Sequence, residues 1–425
     1  MRRRNHKTGR TRRVASVECH LVIERIGHRG DGVAAYQGKP AYVPYVLPGE
    51  QARVSLTGDR GALLDVHTLS RQRQDPVCRH FGTCGGCQLQ HWQLAPYLAW
   101  KRDQVVAALA ARGIETDVAP VMAIGAGTRR RAVVTALGLK NGIALGFLER
   151  GSHQIIDIEE CPILLPDLAH LLPGIRRLLK PCLPQGAKVK LVLTESLAGA
   201  DLAIDGAAAP DSAKALSRLV SSASDAGIAR LTWNGEPLLQ VAAPVQDFGG
   251  VAVVPPPGAF LQASRDGEAA LWQLVHAGTA GAAHVADLFA GCGTFSLRLA
   301  RQASVSAIEG DTAALAALAQ AARQPGLKAV IALQRDLFKE PLLADELAEF
   351  DAVVFDPPFA GAAAQAEQLA ASTVARIVAV SCNPATFARD ARLLIDGGYR
   401  LQSVTPVDQF IFSPHIELVA CFVRG

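Results

Sequence analysis

Long apolar runs are missing from this 425-residue sequence, although 49% of its residues are hydrophobic. Its richest apolar segment is interrupted by Asp287 and Arg298, so it falls short of the roughly eighteen apolar residues that a membrane-spanning helix needs. The basic N-terminus is not followed by the apolar core of a secretory signal. These absences argue against a membrane protein. They predict a cytoplasmic protein with reduced thiols, whose nine cysteines need another role than disulfides.

Acidic residues are missing from residues 1–13, which contain seven of the 43 Lys and Arg residues. The remainder of the chain therefore carries 36 basic against 39 acidic residues. A basic tail adds a salt-sensitive attraction to nucleic acid phosphates, and a disordered solubilising tail is the alternative. A second basic run, residues 129–131, has the same two interpretations: contact with a phosphate backbone, or the solvated end of a strand.

The length predicts two or three domains. Short β-like segments separated by turn residues follow the basic tail and predict a small barrel over residues 14–72. Residues 73–255 are interpreted as a mixed α/β middle domain, with an amphipathic helix over 97–112. Residues 256–425 form the last predicted domain.

In this last domain, apolar strands alternate with Ala-rich helices, which predicts an α/β, Rossmann-like parallel sheet with helices on both faces. No helix separates the final two strands, so they are expected to form an antiparallel hairpin. The predicted strands are residues 284–289, 304–309, 329–334, 351–356, 376–381, 401–410 and 416–423.

A glycine-rich turn follows the first of these strands, where Gly291 and Gly293 let the backbone approach a ligand closely. Glu309 ends the second strand, where its carboxylate can accept hydrogen bonds from both ribose hydroxyls. A dinucleotide site needs a third glycine that is missing here. Asp287 would repel a phosphate but suits the cationic end of S-adenosylmethionine, and Asp336 is placed to meet the adenine amino group. The sequence therefore predicts an S-adenosylmethionine site.

Reactive residues follow the next strands. Asp356 and Cys382 end the fourth and fifth strands, so both should face the cofactor crevice. A thiolate that adds to carbon 6 of uracil makes carbon 5 nucleophilic, and an electropositive position is expected to lower the pKa of Cys382. Glu417 is the predicted base for the carbon 5 proton. His415, two residues earlier, is expected to orient that carboxylate.

Four cysteines precede the catalytic region: Cys78, Cys84, Cys87 and the distant Cys161. Their spacing suits either a cubane iron–sulfur cluster or zinc. Four sulfur ligands close the site and argue against radical chemistry, which needs an open iron. A structural role is therefore predicted, with the metal left open.

The assembled motifs resemble the RNA uridine-5-methyltransferase family, specifically members with an N-terminal TRAM barrel and a four-cysteine iron–sulfur site. The resemblance covers residues 14–425. It is carried by CRHFGTCGGCQLQ, PGAFLQ, DLFAGCGTF, FDPP and SCNPATFARD.

The resemblance implies a class I methyltransferase domain behind a TRAM, OB-like barrel and a mixed α/β middle domain. It implies Cys382 as nucleophile, Glu417 as proton acceptor, and a [4Fe-4S] cluster rather than zinc on the four cysteines. RNA is the implied partner, most often 23S ribosomal RNA, from which the uridine leaves its stack at a cost of about a few kcal/mol. The implied cofactor and substrate positions are Gln262, Phe289, Glu309 and Asp356.

Two features depart from the family pattern. Phe359 stands where most members have Arg after the two prolines, and residues 408–414 lack the usual run before His-x-Glu. A transfer RNA uridine-5-methyltransferase is one alternative. A catalytically impaired iron–sulfur RNA-binding protein is the other. The oligomeric state stays open, with a monomer slightly favoured.

Overall fold

The computed structural model describes residues 16–424, so the predicted basic tail at 1–13 lies outside the described residues. Two compact units are formed. The first extends to Pro76 and includes Gln88–Tyr97, and the second combines Val77–Cys87 with the chain from Leu98 onward. The boundaries predicted at residues 72 and 255 stay predictions. Within residues 16–424, no helix has both the length and the apolar character needed to cross a membrane.

The first unit contains a six-stranded sheet in the order β1-β5-β6-β4-β3-β2. Strands β1 and β2 belong to one run of chain, in which Ile23 N–H donates to Glu50 O and Glu24 N–H donates to Val33 O, both at 2.9 Å. The two end strands of this order are thus consecutive in the chain, and the barrel predicted over residues 14–72 stays a prediction. The strands are β1 (Val17–Val22), β2 (Arg25–Ile26), β3 (Gly32–Tyr36), β4 (Lys39–Val43), β5 (Gln51–Thr57) and β6 (Arg60–Thr68).

The next part of the chain begins with a long helix that ends close to where the sequence predicts, before Gly113 with its positive φ of 66°. A two-stranded sheet, β15-β16, completes this region. The elements are α1 (Leu94–Ala110), β7 (Met122–Ala123), β8 (Arg131–Gly138), β9 (Ile143–Leu148), β10 (Ile155–Asp157), α2 (Pro166–Leu179), β11 (Lys188–Ser196), β12 (Gly199–Gly206), α3 (Ala213–Asp225), β13 (Ile228–Trp233), β14 (Glu236–Gln240), β15 (Gln246–Asp247) and β16 (Ala252–Val253).

Seven of these strands form a sheet in the order β10-β9-β8-β11-β12-β13-β14. The chain returns through α3 between β12 and β13, which pair in parallel. Leu172 and Leu219, from α2 and α3, are buried with Leu191 and Leu202 of the sheet. The predicted mixed α/β character of this region is confirmed.

The C-terminal part contains an eight-stranded sheet in the order β19-β18-β17-β20-β21-β23-β22-β7. Its elements are α4 (Arg265–Gly278), β17 (His284–Leu288), α5 (Ser296–Leu299), β18 (Ser304–Glu309), α6 (Thr312–Ala321), β19 (Val330–Gln334), α7 (Ala344–Leu347), β20 (Ala352–Phe355), α8 (Ala363–Ala371), β21 (Arg376–Ser381), α9 (Pro384–Asp396), β22 (Tyr399–Asp408) and β23 (Glu417–Arg424). All seven strands predicted for this domain are confirmed, and β22 and β23 form the expected antiparallel pair. Strand β7 was not predicted.

Both faces of this sheet are covered. Neighbouring residues of β20 illustrate the arrangement, because Val353 packs into one core with Leu394 of α9, whereas Val354 packs into another with Leu271 of α4. Burial on both faces explains why these strands read as continuous apolar runs. The carboxyl ends of the parallel strands β17, β18, β20 and β21 therefore lie along one edge.

The run of three arginines has a structural role. Arg130 is 1% exposed, forms an ion pair with Glu268, and donates to the carbonyl of Gln262 at 3.0 Å. Arg131 donates to the carbonyl of Ala259 at 3.0 Å. For Arg130 the predicted phosphate contact, and the alternative of a solvated strand end, are both wrong. For Arg131, which is only partly buried, the two interpretations stay open. Both guanidinium groups hold the segment that carries Gln262.

Candidate active site

A cavity of about 570 Å³ lies beyond the carboxyl ends of the parallel strands, a volume typical of a small-molecule site. The structure brings most of the predicted site residues to its wall, whereas Asp287 and Gly293 lie behind that wall. The predicted residues that line it are Gln262, Phe289, Gly291, Glu309, Asp336, Asp356, Cys382 and Glu417.

The glycine-rich turn adopts the conformation that its residues allow. Gly291 and Gly293 have φ values of 55° and 93°, and a Cβ on Gly293 would lie 2.9 Å from the side chain of Leu297. The carboxylate of Glu309 accepts the N–H groups of Gly291 and Asp311, each at 2.8 Å. Each carboxylate oxygen accepts more than one hydrogen bond, so Glu309 can hold the turn and still receive ribose hydroxyls.

Asp287 lies beneath this turn and is 1% exposed. Its Oδ2 accepts a hydrogen bond from the Ser296 hydroxyl, and its Oδ1 has no partner in the part of the chain that the structure describes. Burial raises the pKa of Asp287 to about 7, and nearby Glu309 adds to the rise. An enclosed acceptor without a donor suits a cationic ligand, because ionisation then becomes less costly.

Aromatic side chains form the opposite part of the cavity wall. The rings of Phe289 and Phe338 lie 5.4 Å apart. Asp336 accepts the N–H of Phe338 at 3.1 Å and forms an ion pair with Lys339 at 2.7 Å. A flat adenine ring fits such an apolar surface with a carboxylate at its edge. The residues present therefore fit an adenosyl group.

The predicted nucleophile lies between a strand and a helix. Cys382 follows the last residue of β21, and the side chain of Asn383 then caps α9 by accepting Ala385 N–H at 3.1 Å, with Pro384 in the first helical turn. The Asn383 amide also donates to the carbonyl of Phe359 at 3.0 Å. These local preferences explain why the thiol is presented at the sheet edge.

Two carboxyl groups reach the same place from neighbouring strands. Asp356 follows β20, and Glu417 begins β23, where antiparallel pairing sets Leu418 opposite Ser381. This register places the Glu417 side chain next to Cys382. Glu417 is 3% exposed.

The electrostatics of Cys382 differ from the prediction. Burial raises the pKa of its thiol to about 12, and the carboxyl groups of Glu417 and Asp356 raise it further. The predicted electropositive surroundings and lowered pKa are therefore wrong for the protein without ligand, because the nearby ionisable groups are acids. The N-terminus of α9 favours a thiolate, but burial and these two carboxyls outweigh it.

The pKa values of both carboxyls are raised, each by burial and by a neighbouring acid. Burial raises the pKa of Asp356 to about 7, with Asp287 adding to the rise. The pKa of Glu417 is raised well above its usual value by burial and then by Asp356. Like charges in a buried site disfavour joint ionisation. Near neutral pH the pair therefore retains at least one proton.

A chain of amide hydrogen bonds connects the two carboxyls. The Nε2 of Gln262 donates to Asp356 at 3.1 Å, and the Nε2 of Gln409 donates to Gln262 Oε1 at 2.7 Å and to Glu417 Oε2 at 3.1 Å. The Oε1 of Gln409 accepts Ala263 N–H at 3.1 Å. Sequence reasoning did not identify Gln409. A single glutamine near a strand end carries no pattern that distinguishes it.

His415 does not orient Glu417. Strand β23 begins at Glu417 itself, so His415 lies in the preceding loop, where the two-residue alternation of a strand does not apply. Its ring packs edge-on against Phe359 at 6.4 Å, and its carbonyl accepts a hydrogen bond from Lys101. The predicted coupling is therefore wrong, and Gln409 contacts Glu417 instead.

Three exposed aromatic side chains surround the cavity. Phe260 is 71% exposed, Phe359 is 59% exposed and Phe338 is 51% exposed, and all three line the cavity. Exposed phenylalanines at a cavity offer stacking surfaces to planar ligands. Phe359 thus adds apolar surface to the cavity wall.

The four cysteines predicted to bind a cluster come from one region of the second unit. Burial raises the pKa of Cys78 and Cys84, and Cys161 adds to both rises, which indicates that these thiols lie near one another. Burial lowers the pKa of Arg129, whereas Cys161 and Cys87 oppose that change. Within residues 16–424, however, no three His, Cys, Asp or Glu side chains are arranged to hold a metal ion. The predicted [4Fe-4S] cluster therefore stays a prediction.

Known proteins resemble this chain over nearly its whole length. It is 46% identical over 408 residues, 95% of the chain and 98% of the relative, to an uncharacterized RNA methyltransferase of Brucella suis. It is 34% identical over 445 residues, 99% of the chain and 92% of the relative, to the 23S rRNA (uracil(1939)-C(5))-methyltransferase RlmD of Chromohalobacter salexigens. A family described as Conserved hypothetical protein 95 matches residues 268–381.

A solved structure shows the same fold. The tRNA (uracil-54, C5)-methyltransferase of Pyrococcus abyssi, in complex with S-adenosyl-L-homocysteine, has a TM-score of 0.73 and 23% identity, and the match covers 95% of this chain and 100% of that one. The eight-stranded sheet and the cavity at its carboxyl edge define a class I, S-adenosylmethionine-dependent methyltransferase. The identities above add that this chain belongs to the RNA methyltransferase family. The prediction of a methyltransferase is confirmed.

Proposed function

We propose that this protein transfers the methyl group of S-adenosylmethionine to carbon 5 of a uridine in RNA, with Cys382 as covalent nucleophile. The observation that carries the proposal is the shared cavity. Cys382, Asp356 and Glu417 line the same space as the glycine-rich turn and Glu309. A thiol, two carboxyls and a cofactor site within one cavity are the groups that pyrimidine carbon 5 methylation requires.

Cys382, Glu417 and Asp356 each have a defined role in the proposed reaction. The Cys382 thiol releases its proton to solvent as the ligands bind. The resulting thiolate forms a bond to carbon 6, and the electron pair of the ring double bond makes carbon 5 nucleophilic. Bound S-adenosylmethionine supplies the electrophilic methyl group and a positive charge. Glu417 then accepts the carbon 5 proton, the double bond re-forms, and the bond between carbon 6 and Sγ breaks. Asp356 contacts the base.

The raised pKa of Cys382 is compatible with this role. Protonated Asp356 does not repel a thiolate, and a cationic ligand in the cavity favours both this thiolate and the carboxylate form of Glu417 that accepts the carbon 5 proton. Thiolate formation is therefore expected to accompany ligand binding. Without ligand, the high pKa of Cys382 keeps the thiol protonated and unreactive.

We further propose 23S ribosomal RNA as the substrate. Support comes from the RlmD relative, which is a methyltransferase of uracil 1939 in 23S rRNA and matches 99% of this chain. The structural neighbour acts on transfer RNA, but at 23% identity it supports the fold alone. The uridine has to leave its stack, and Phe260 and Phe359 offer exposed rings on which bases can stack.

The decisive experiment supplies labelled S-adenosylmethionine with ribosomal or transfer RNA from cells that lack the gene. We expect label in 5-methyluridine of 23S rRNA. Cys382→Ala should abolish transfer and retain cofactor binding, whereas Cys421→Ala, a matched cysteine outside the cavity wall, should retain both. Label in transfer RNA alone would change the substrate. Transfer to neither RNA would favour a catalytically impaired RNA-binding protein.

Cluster binding by Cys78, Cys84, Cys87 and Cys161 is a separate proposal. Its support is the resemblance in sequence and the chemistry of four cysteine thiols as a donor set, and no catalytic step depends on it. Anaerobically purified protein should be brown and contain about four iron atoms per chain. Colourless protein with stoichiometric zinc would replace the cluster by a zinc site.

A further inference from the structure

The buried hydrogen bonds of Gln409 have a defined direction. Ala263 N–H can only donate, so it holds the oxygen of the Gln409 amide. The amide nitrogen must then face the other way, towards Gln262 Oε1 and Glu417 Oε2. One main-chain N–H group therefore sets the orientation of the whole side-chain amide.

The orientation of the Gln409 amide also fixes the orientation of the Gln262 amide. Because Gln409 occupies the oxygen of Gln262, the nitrogen of Gln262 faces Asp356. Gln262 and Gln409 are 3% and 6% exposed, so solvent does not compete for these hydrogen bonds. Enclosed amides that are fully engaged on both sides are costly to rotate.

The two carboxyl oxygens of Glu417 differ in the hydrogen bonds that they accept. Oε2 accepts the Gln409 amide, whereas Oε1 accepts no hydrogen bond from the part of the chain that the structure describes. Glu417 also lines the cavity beside Cys382. One oxygen is thus engaged with the protein and the other is available to a ligand.

We propose that Gln409 is a positioning residue for proton removal: it holds Oε2 of Glu417 so that Oε1 accepts the proton from carbon 5 of the methylated uracil. This inference rests on the proposed function and adds how the carboxyl of Glu417 is oriented. In the step, the C5–H electron pair forms the C5=C6 bond, and the C6–S pair returns to Cys382. The proton passes from Glu417 to solvent after product release.

Gln409 also affects the charge state of this base. Its amide donates to the carboxylate form and so opposes the effect of burial on the pKa of Glu417. Loss of the donor should therefore leave Glu417 both less well aimed and harder to ionise. Both effects slow the elimination step, which follows methyl transfer.

The test compares two buried glutamines. Gln409→Met removes the amide with little change in volume. Gln365→Met is the matched control, since Gln365 is 0% exposed and exchanges two hydrogen bonds with the main chain of Leu342, at 2.9 Å and 3.1 Å. Both variants should lose comparable stability. Only Gln409→Met removes a contact with Glu417.

The measurement is a single-turnover reaction with 23S rRNA fragments, stopped in denaturant and resolved on a gel. We expect the covalent protein–RNA adduct to decay about tenfold to a hundredfold more slowly in Gln409→Met than in wild type. The KM values for RNA and S-adenosylmethionine should change by less than about threefold. Gln365→Met should match wild type in adduct decay.

Equal adduct decay in Gln409→Met and Gln365→Met would overturn the inference and leave the proposed function intact. Failure of wild type to form any adduct or product on ribosomal or transfer RNA would overturn the proposed function instead. If Gln409→Met does not fold, Gln409→Asn replaces it. Its shorter amide cannot span from Ala263 to Glu417, so the same slow decay is expected.

Discussion

The carboxyl of Glu417 raises the pKa of the Cys382 thiol, so the proposed proton acceptor opposes ionisation of the proposed nucleophile. Two groups that must act in sequence are thus held in a state where they do not ionise together. A single variant of Glu417 can therefore test two properties: proton removal from carbon 5 and the pKa of the Cys382 thiol.

Glu417→Gln should stop proton removal while it removes the acid beside Cys382. We expect a covalent RNA adduct to accumulate, seen as a retarded band in a denaturing gel, because the methylated ring cannot lose its carbon 5 proton. Alkylation of Cys382 without RNA, at about pH 9, should become about twofold to tenfold faster, because the thiol pKa falls. Peptide mass spectrometry measures the alkylation of this cysteine.

Glu367→Gln provides the control, since Glu367 is an exposed carboxyl on α8. Neither adduct accumulation nor faster alkylation is expected there. Unchanged alkylation of Cys382 in Glu417→Gln would show that the Glu417 carboxyl does not raise the pKa of the thiol. Normal turnover would assign the proton transfer to another group.

Asp287 should make stability depend on pH. Its pKa in the folded protein is about 7, raised above the usual value of 3.8 by burial. The folded state therefore binds a proton that the unfolded chain releases, so this contribution is complete below about pH 4 and is lost as the pH rises to about 7. The loss amounts to roughly 4 kcal/mol at most.

Asp287→Asn should flatten this part of the pH dependence. Denaturant titrations of the ligand-free protein at several pH values measure the free energy of unfolding. Exposed Glu367→Gln should retain the wild-type slope. An identical slope in Asp287→Asn would exclude this carboxyl as the source.

Phe359 should contribute to RNA binding by stacking. Its ring is exposed and lines the cavity, and a base–aromatic contact contributes about 1–3 kcal/mol. Phe359→Ala is expected to raise the KM for RNA by roughly tenfold, with cofactor affinity unchanged, whereas Phe359→Trp should retain wild-type values. An unchanged KM in the alanine variant would remove the ring from RNA binding.

Phe359→Arg tests the same position with the residue that the sequence resemblance leads us to expect there. A guanidinium there adds a phosphate contact, so the slope of log affinity against log salt should steepen by about one. Filter binding across a range of salt concentrations measures the slope. No change would mean that position 359 does not reach the RNA backbone.

Residues 1–13 should supply a salt-dependent part of RNA affinity. Deletion of this segment removes seven basic residues, which should reduce the slope of log affinity against log salt by up to about six. A variant with thirteen uncharged residues in their place controls for length. An unchanged slope in both variants would limit the segment to solubility.

Periodicity and strand-end chemistry allowed much of this fold to be predicted. Strands such as β20 and β21 are buried on both faces, so their apolar runs were visible in the sequence. Residues immediately after such strands, including Asp356 and Cys382, could be assigned to the site because parallel strands share a carboxyl edge. The two-residue strand β7 has no periodic pattern and was missed.

Contacts between distant segments could not be predicted in the same way. Arg130 was interpreted as a surface cation, yet it pairs with Glu268, 138 positions away, and is buried. Gln409 bonds to Gln262 from 147 positions away. No local pattern encodes such partners, because long-range packing chooses them.

By itself, the sequence determined the class of fold, the edge of the sheet at which the site lies, and the residue types that carry the proposed chemistry. These depend on backbone preferences and apolar periodicity, which act over short stretches of chain. Only the tertiary structure decided the electrostatics: burial and facing carboxyls raise the pKa of Cys382. It also decided that Gln409, rather than His415, contacts Glu417. Burial and hydrogen-bond direction are properties of groups brought together by folding, so they follow from the packed structure alone.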